Sequence, residues 1–150
     1  MKTKNYLLIL AFLFIANCVA FAQSHSSFGY KTSGWAGFSV KIPTTLEVNG
    51  GDGFYSSDGQ VEVTFETVGK SVMSPLTHYQ NCLYSHSNIT LKVYKSNYYV
   101  ISGIESGYIY YQVTKWNGSY ICTAILTYPK SMKRYYNPAC SVLLKSFRLY

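Results

Sequence analysis

Carboxylates are scarce in this chain: 150 residues hold 6 Asp and Glu against 13 Lys and Arg, a formal charge of +7. The acids are Glu47, Asp52, Asp58, Glu62, Glu66 and Glu105. Asp52 and Asp58 sit in glycine-rich stretches, where a short acid serves turn geometry. Glu62 and Glu66 share one strand face, about 13 Å apart at ~3.3 Å per residue. That is too far for the ~5 Å carboxylate pair of a retaining glycosidase. Cysteine is sparse too: Cys18, Cys82, Cys122 and Cys140 form no Cys-x-x-Cys and no Cys/His spacing suited to zinc. Neither a metal nor another cofactor is therefore expected. P-loop, dinucleotide and Gly-x-Ser-x-Gly signatures are absent. The basic residues are scattered apart from Lys130, Lys133 and Arg134. Such a spread argues against a nucleic-acid face, which concentrates charge, and fits mild attraction to an anionic envelope surface.

Long apolar runs are also missing. The leading one, Tyr6 to Ala16, falls short of the ~20 residues of a membrane span. Lys2 and Lys4 precede it and Ala20-Phe21-Ala22 closes the stretch. Basic start, short apolar core and small residues before Gln23 make residues 1–22 a secretory signal peptide, cleaved after Ala22. Ile15-Ala16-Asn17-Cys18 loosely resembles a lipobox, but Asn17 in place of a small residue disfavours a lipoprotein anchored through Cys18. The expected mature chain, Gln23 to Tyr150, has 128 residues with 11 bases against 6 acids. That is one domain's worth, destined for the periplasm or beyond, with no membrane span left after cleavage. Cysteines tend to pair in such compartments. The short loop between Cys122 and Cys140 makes them the expected disulfide, with Cys82 left over.

Beyond residue 27 the chain mostly alternates with period two, the mark of half-buried strands. Phe38, Val40 and Ile42 form one strand, which Pro43 ends, and Phe54 to Ser56 a second. Ser57-Asp58-Gly59 turns into a third, where Val61, Val63, Phe65 and Thr67 alternate with Gln60, Glu62, Thr64 and Glu66. Ile89, Leu91 and Val93 define a fourth and Tyr98 to Ser102 a fifth. Tyr108 to Trp116 and Ser119 to Tyr128 pair around Asn117-Gly118, a strong hairpin signal. Leu76, Tyr79, Cys82 and Leu83 recur instead at helical spacing, as do Met132, Tyr135, Tyr136, Ala139, Val142, Leu143 and Phe147. Pro138 requires the second helix to start near Asn137 or to kink. The sum is an α+β fold, an antiparallel sheet of about six or seven strands flanked by two helices.

Aromatic content is the one compositional excess, with 16 Tyr, 8 Phe and 2 Trp. Alternation puts Tyr94, Tyr108, Tyr110 and Trp116 on one sheet face, with Thr90, Lys92, Gln112 and Thr114. Such a face can stack sugars or receive a protein, and equally can serve only to stabilise the sheet. Cys82 lies one helical turn from both His78 and His86, which makes a Cys–His dyad the one catalytic option. A cysteine on a helix stripe is more often simply buried, and the two histidines are then expected in solvent. Asn88-Ile89-Thr90 and Asn117-Gly118-Ser119 match glycosylation sequons, of consequence only in a eukaryotic secretory route.

The order and spacing of FSVKIP at 38–43, GFYSSDGQVEVTF at 53–65, ITLKVYKSNYYVISGIESGYIYYQV at 89–113 and YPKSMKRYYNPACSVLLKSF at 128–147 resemble the PsbP-like fold. The resemblance spans nearly the whole mature chain and implies an α/β/α sandwich. It also implies a non-enzymatic accessory or docking module. The metal ligands of the plant photosystem subunit have no matching cluster here, so metal binding is not carried over. The expected function is thus an exported binding module that recognises a protein or envelope component. The alternatives are a small hydrolase or thiol enzyme centred on Cys82 with His78 or His86, and an immunity or inhibitor protein.

Overall fold

The computed structural model describes residues 28–48 and 53–150. The leader 1–22 with its cleavage site, Cys18, His25 and Asp52 lie outside them. β1 (Tyr30–Trp35) and β2 (Phe38–Pro43) pair around Ala36–Gly37, where Gly37 has φ +89°. A second sheet holds β3 (Glu47–Val48), β4 (Gly53–Tyr55), β5 (Glu62–Gly69), β6 (Ile89–Tyr94), β7 (Tyr98–Glu105), β8 (Tyr108–Trp116) and β9 (Tyr120–Pro129). Its order is β3-β4-β5-β9-β8-β7-β6, antiparallel throughout. α1 (Pro75–Ser85) connects β5 to β6, and α2 (Lys133–Ser146) connects β9 to β10 (Arg148–Leu149), which pairs with β2.

The period-two pattern decides which sheet face carries the main core. Val63, Phe65, Val100, Val113, Cys122, Ala124, Leu126 and Tyr128 are all buried on one side of the seven-stranded sheet. Two elements cover them: α2 through Tyr136, Ala139 and Leu143, and β2 through Phe38, Val40 and Ile42. The Phe38 ring joins the layers, with its centre 5.3 Å from that of Phe65 and 4.7 Å from that of Phe147. α1 lies on the opposite face, where Tyr79, Cys82 and Leu83 pack on Tyr99, Ile101 and Tyr110.

α1 starts where Ser74 Oγ accepts the Thr77 N–H at 3.1 Å and Pro75 pre-sets the first turn. α2 has no such cap. It follows a 3₁₀ turn, Lys130–Met132, and runs through Pro138 rather than starting beyond it. The carbonyl that Pro138 leaves without a donor is that of Arg134, in the exposed first turn, where solvent can replace it.

Four expectations are corrected. Phe38–Pro43 belongs to a separate three-stranded sheet, whose partner β1 has too mixed a pattern (Thr32, Ser33, Gly34) to announce itself. In the β8–β9 hairpin the turn centres on Gly118–Ser119, because the Asn117 side-chain oxygen accepts the N–H groups of Ser119 and Tyr120, each at 2.9 Å. In β6, a bulge at Thr90 pairs Ile89 with Gly103 but Leu91 with Ser102. Ile89 is thereby turned into the α1-side cluster while Val93 stays on the main core.

The fourth is the disulfide. Cys82, Cys122 and Cys140 are all free thiols. Cys140 Sγ touches the Tyr128 hydroxyl at 3.5 Å, and Tyr128 lies at the far end of β9 from Cys122. Six residues of strand, roughly 20 Å of rise, separate Cys122 from the Tyr128 that Cys140 touches, and a bridge requires Cα atoms within ~7 Å.

Candidate functional site

The register places Tyr94, Tyr99, Tyr110, Gln112, Thr114 and Trp116 on one sheet face, as the alternation requires. α1 then divides that face. Tyr110 is only 4% exposed; His86 stacks on its ring at 4.2 Å while donating toward Glu105 at 3.2 Å. Tyr94 keeps 40% of its surface and joins Tyr79 and Trp116 in an aromatic cluster, with centroid distances of 5.0 and 5.7 Å. Lys92 is exposed beside it, and Tyr108 is exposed at the remote end of β8. Tyr94, Tyr108, Tyr110, Trp116 and Lys92, the expected binding residues, are therefore not one open surface.

The Tyr110 hydroxyl is buried with no hydrogen-bond partner. A buried, unpaired donor costs about 1–3 kcal/mol. Tyr110→Phe should accordingly leave stability unchanged or raise it by ~1 kcal/mol, measured by urea unfolding. A loss above ~1 kcal/mol would mean that the hydroxyl is satisfied in solution.

Helical spacing and strand register also assemble a polar cluster beneath α1. His78, only 5% exposed, places Nδ1 2.6 Å from the Tyr99 hydroxyl and 3.8 Å from Cys82 Sγ. Its Nε2 faces Glu66 Oε2 of β5 at 3.8 Å. Cys82 Sγ is also 3.2 Å from the Tyr99 hydroxyl and accepts from Gln112 Nε2 at 3.4 Å. Gln112 is held in turn by Tyr99 and Thr114, and Thr114 by Thr123. The expectation of solvated histidines thus fails for His78, because Glu66, remote in sequence, meets it across the sheet. His86 belongs elsewhere.

Burial pulls the His78 pKa down, but Cys82 and Glu66 outweigh it and hold the ring up at about 9. Burial raises the Cys82 thiol, yet hydrogen bonds from His78, Tyr99 and Gln112 bring it below its ordinary value. Burial pushes the thiols of Cys122 and Cys140 the other way, that of Cys140 to about 11. Among the described cysteines, only Cys82 has its thiol pKa held below the ordinary value.

On the other face, α2 packs chiefly against β2, β8 and β9, and part of β6 and β7 lines open space beside it. A cleft of about 330 Å³ results, with Thr90, Ser102, Tyr111, Lys133, Asn137 and Ser141 among its lining. It shares Lys133, Asn137 and Ser141 with an adjoining shelf of about 700 Å³ that also holds Arg134. Neither lining contains a carboxylate. Composition gave one hint of this site, the proximity of Lys130, Lys133 and Arg134; the cleft itself depends on where α2 stops covering the sheet. Among the described residues, no group of three or more His, Cys, Asp or Glu could hold a metal ion, and no helix is long and apolar enough to cross a membrane.

This sheet order, with one helix on each face, defines a PsbP-like fold. The chain is similar to cyanobacterial PsbP from Synechocystis sp. PCC 6803, whose solution structure superposes with a TM-score of 0.59 at 9% identity, over 84% of this chain and 94% of that one. No protein-family model matches the chain, and no curated protein does.

Proposed function

We propose that the protein is an exported, non-enzymatic accessory module whose cleft beside α2 receives an anionic group of a partner protein or envelope component. The signal-like leader supports export. The observation that carries the binding role is the placement of Lys133 and Arg134 in the first turn of α2, facing a cleft and shelf that contain no acid. Cations at a helix N-terminus oppose the macrodipole, at a cost of about 0.3–1 kcal/mol each. They also add to the N–H groups that make such a terminus attractive to anions. No acidic residue follows Glu105, while Lys115, Lys130, Lys133, Arg134, Lys145 and Arg148 do. Of these, Lys133 and Arg134 line the cleft and shelf themselves and give them a positive field that attracts acidic ligands.

The test is affinity capture from the envelope fraction of the source organism, read by mass spectrometry, with wild type and the K133E/R134E double variant. A component held by the wild type should be weakened at least ~10-fold by the double variant, mainly through lost charge pairing. The variant's Tm should stay level or rise, because acids favour the first turn of a helix. Equal capture by both forms would remove the cleft from consideration. A fall in Tm would show that the two cations serve the fold instead.

A further inference from the structure

We propose that Cys82, with His78 and Glu66, forms an oxidant-responsive thiol site that takes an oxygen atom from a small hydroperoxide. This inference is independent of the cleft, which lies on the opposite face of the sheet.

The cluster has the parts such chemistry requires. Tyr99 and Gln112 direct hydrogen-bond donors at Cys82 Sγ from 3.2 and 3.4 Å, and both are buried, so their orientation is fixed. With Nδ1 protonated, His78 donates to the Tyr99 oxygen 2.6 Å away, and the Tyr99 O–H is then directed at the sulfur. Glu66, with its side chain 56% exposed, connects the other imidazole nitrogen to solvent. The titratable groups facing Cys82 are thus His78 from its own helix, Tyr99 from β7 and, through the imidazole, Glu66 from β5. Cys82 is half-buried as a residue, so a small neutral oxidant reaches its side chain more readily than a bulky protein disulfide does.

The step balances without further reagents. The Cys82 thiolate attacks the terminal oxygen of ROOH; the S–O bond forms as the O–O bond breaks. Sulfur is oxidised to the sulfenic acid, the peroxide is reduced, and the departing RO⁻ takes the proton of the His78 imidazolium through Tyr99 to leave as ROH. Cys122 and Cys140 project to the other sheet face, where both belong to the main core. Neither can resolve the sulfenic acid. It persists, or loses water to a small external thiol to give a mixed disulfide.

Two measurements on the purified protein test this. After equimolar hydrogen peroxide, dimedone should label Cys82 at least ~10-fold more than Cys122 or Cys140, by peptide mapping. The pH profile of iodoacetamide alkylation should have its Cys82 midpoint on the acid side of the ordinary thiol value of 9.0. The sign follows from the pair: a retained His78 proton, lost only near pH 9, favours the thiolate throughout the range below it. H78N should slow Cys82 alkylation at pH 7 by ~10-fold or more and move the midpoint upward, since the stabilising cation is gone. E66Q, at an exposed position that does not threaten folding, should move it the same way by less, and decides the matter if H78N does not fold. Alkylation of Cys82 no faster than of Cys140, or a wild-type midpoint at 9, overturns the proposal. Ready alkylation without dimedone labelling overturns the hydroperoxide as the oxidant.

Discussion

Replacing Phe38 with alanine is expected to cost about 3–5 kcal/mol, the range for truncating a fully buried aromatic. Phe38 has no exposed surface and stands where three layers meet. Its ring is edge-on to Phe65 of the large sheet and tilted against Phe147, which follows α2. Its backbone pairs with Trp35 on one side and Leu149 on the other. Three independently placed elements line the resulting hole, so collapse is difficult and the cost belongs near the top of the range. Thermal unfolding should show Tm lower by more than ~10 °C. A loss below ~1.5 kcal/mol would mean that the small sheet contributes little to the fold, and that α2 is positioned without it.

Gly103→Ala is expected to cost about 3 kcal/mol, the upper end of overpacking penalties. A Cβ at Gly103 would stand 2.5 Å from the Tyr110 hydroxyl and 2.6 Å from the Asn88 carbonyl oxygen. The tyrosine cannot swing aside freely, because His86 is stacked on its ring. The carbonyl is main chain and accepts the Ile104 N–H, so relief requires moving the start of β6. Gly103 also opposes Ile89 beside the bulge, which is the usual reason for glycine within a strand. Circular dichroism melts of Gly103→Ala and of the double variant with Tyr110→Phe provide the check. The double variant removes the nearer clash and should recover only part of the loss. Full recovery would place the strain in the hydroxyl alone, and no loss in the single variant would mean that β6 yields freely.

The sequence discloses what repeats locally and conceals what depends on a distant partner. The strand of Val63 and Phe65, the helix of Leu76, Tyr79 and Leu83, and the common face of Tyr94, Tyr110 and Trp116 all follow from spacing. The bulge at Thr90 does not, since Ile89, Leu91 and Val93 alternate without fault; only pairing with β7 turns Ile89 over. Nor does the burial of His78, which Glu66 and Tyr99 determine from two strands remote in sequence. The cysteines show the same limit. Loop length favours joining Cys122 to Cys140, but α2 seats Cys140 against Tyr128, at the other end of β9 from Cys122. The cleft is visible in one dimension only as a short run of cations, of which Lys133 and Arg134 line it or its shelf.

The bulge at Thr90 has a bearing on solubility as well. β6 is an outer strand of a seven-stranded sheet, and its free side presents main-chain groups to any other extended peptide. The extra residue breaks the even row of donors and acceptors, and the exposed Lys92 sits just past the break. A ragged margin carrying a cation is a poor template for strand addition. An irregularity that defeats a simple count of alternating residues thus also discourages copies of the molecule from stacking edge to edge.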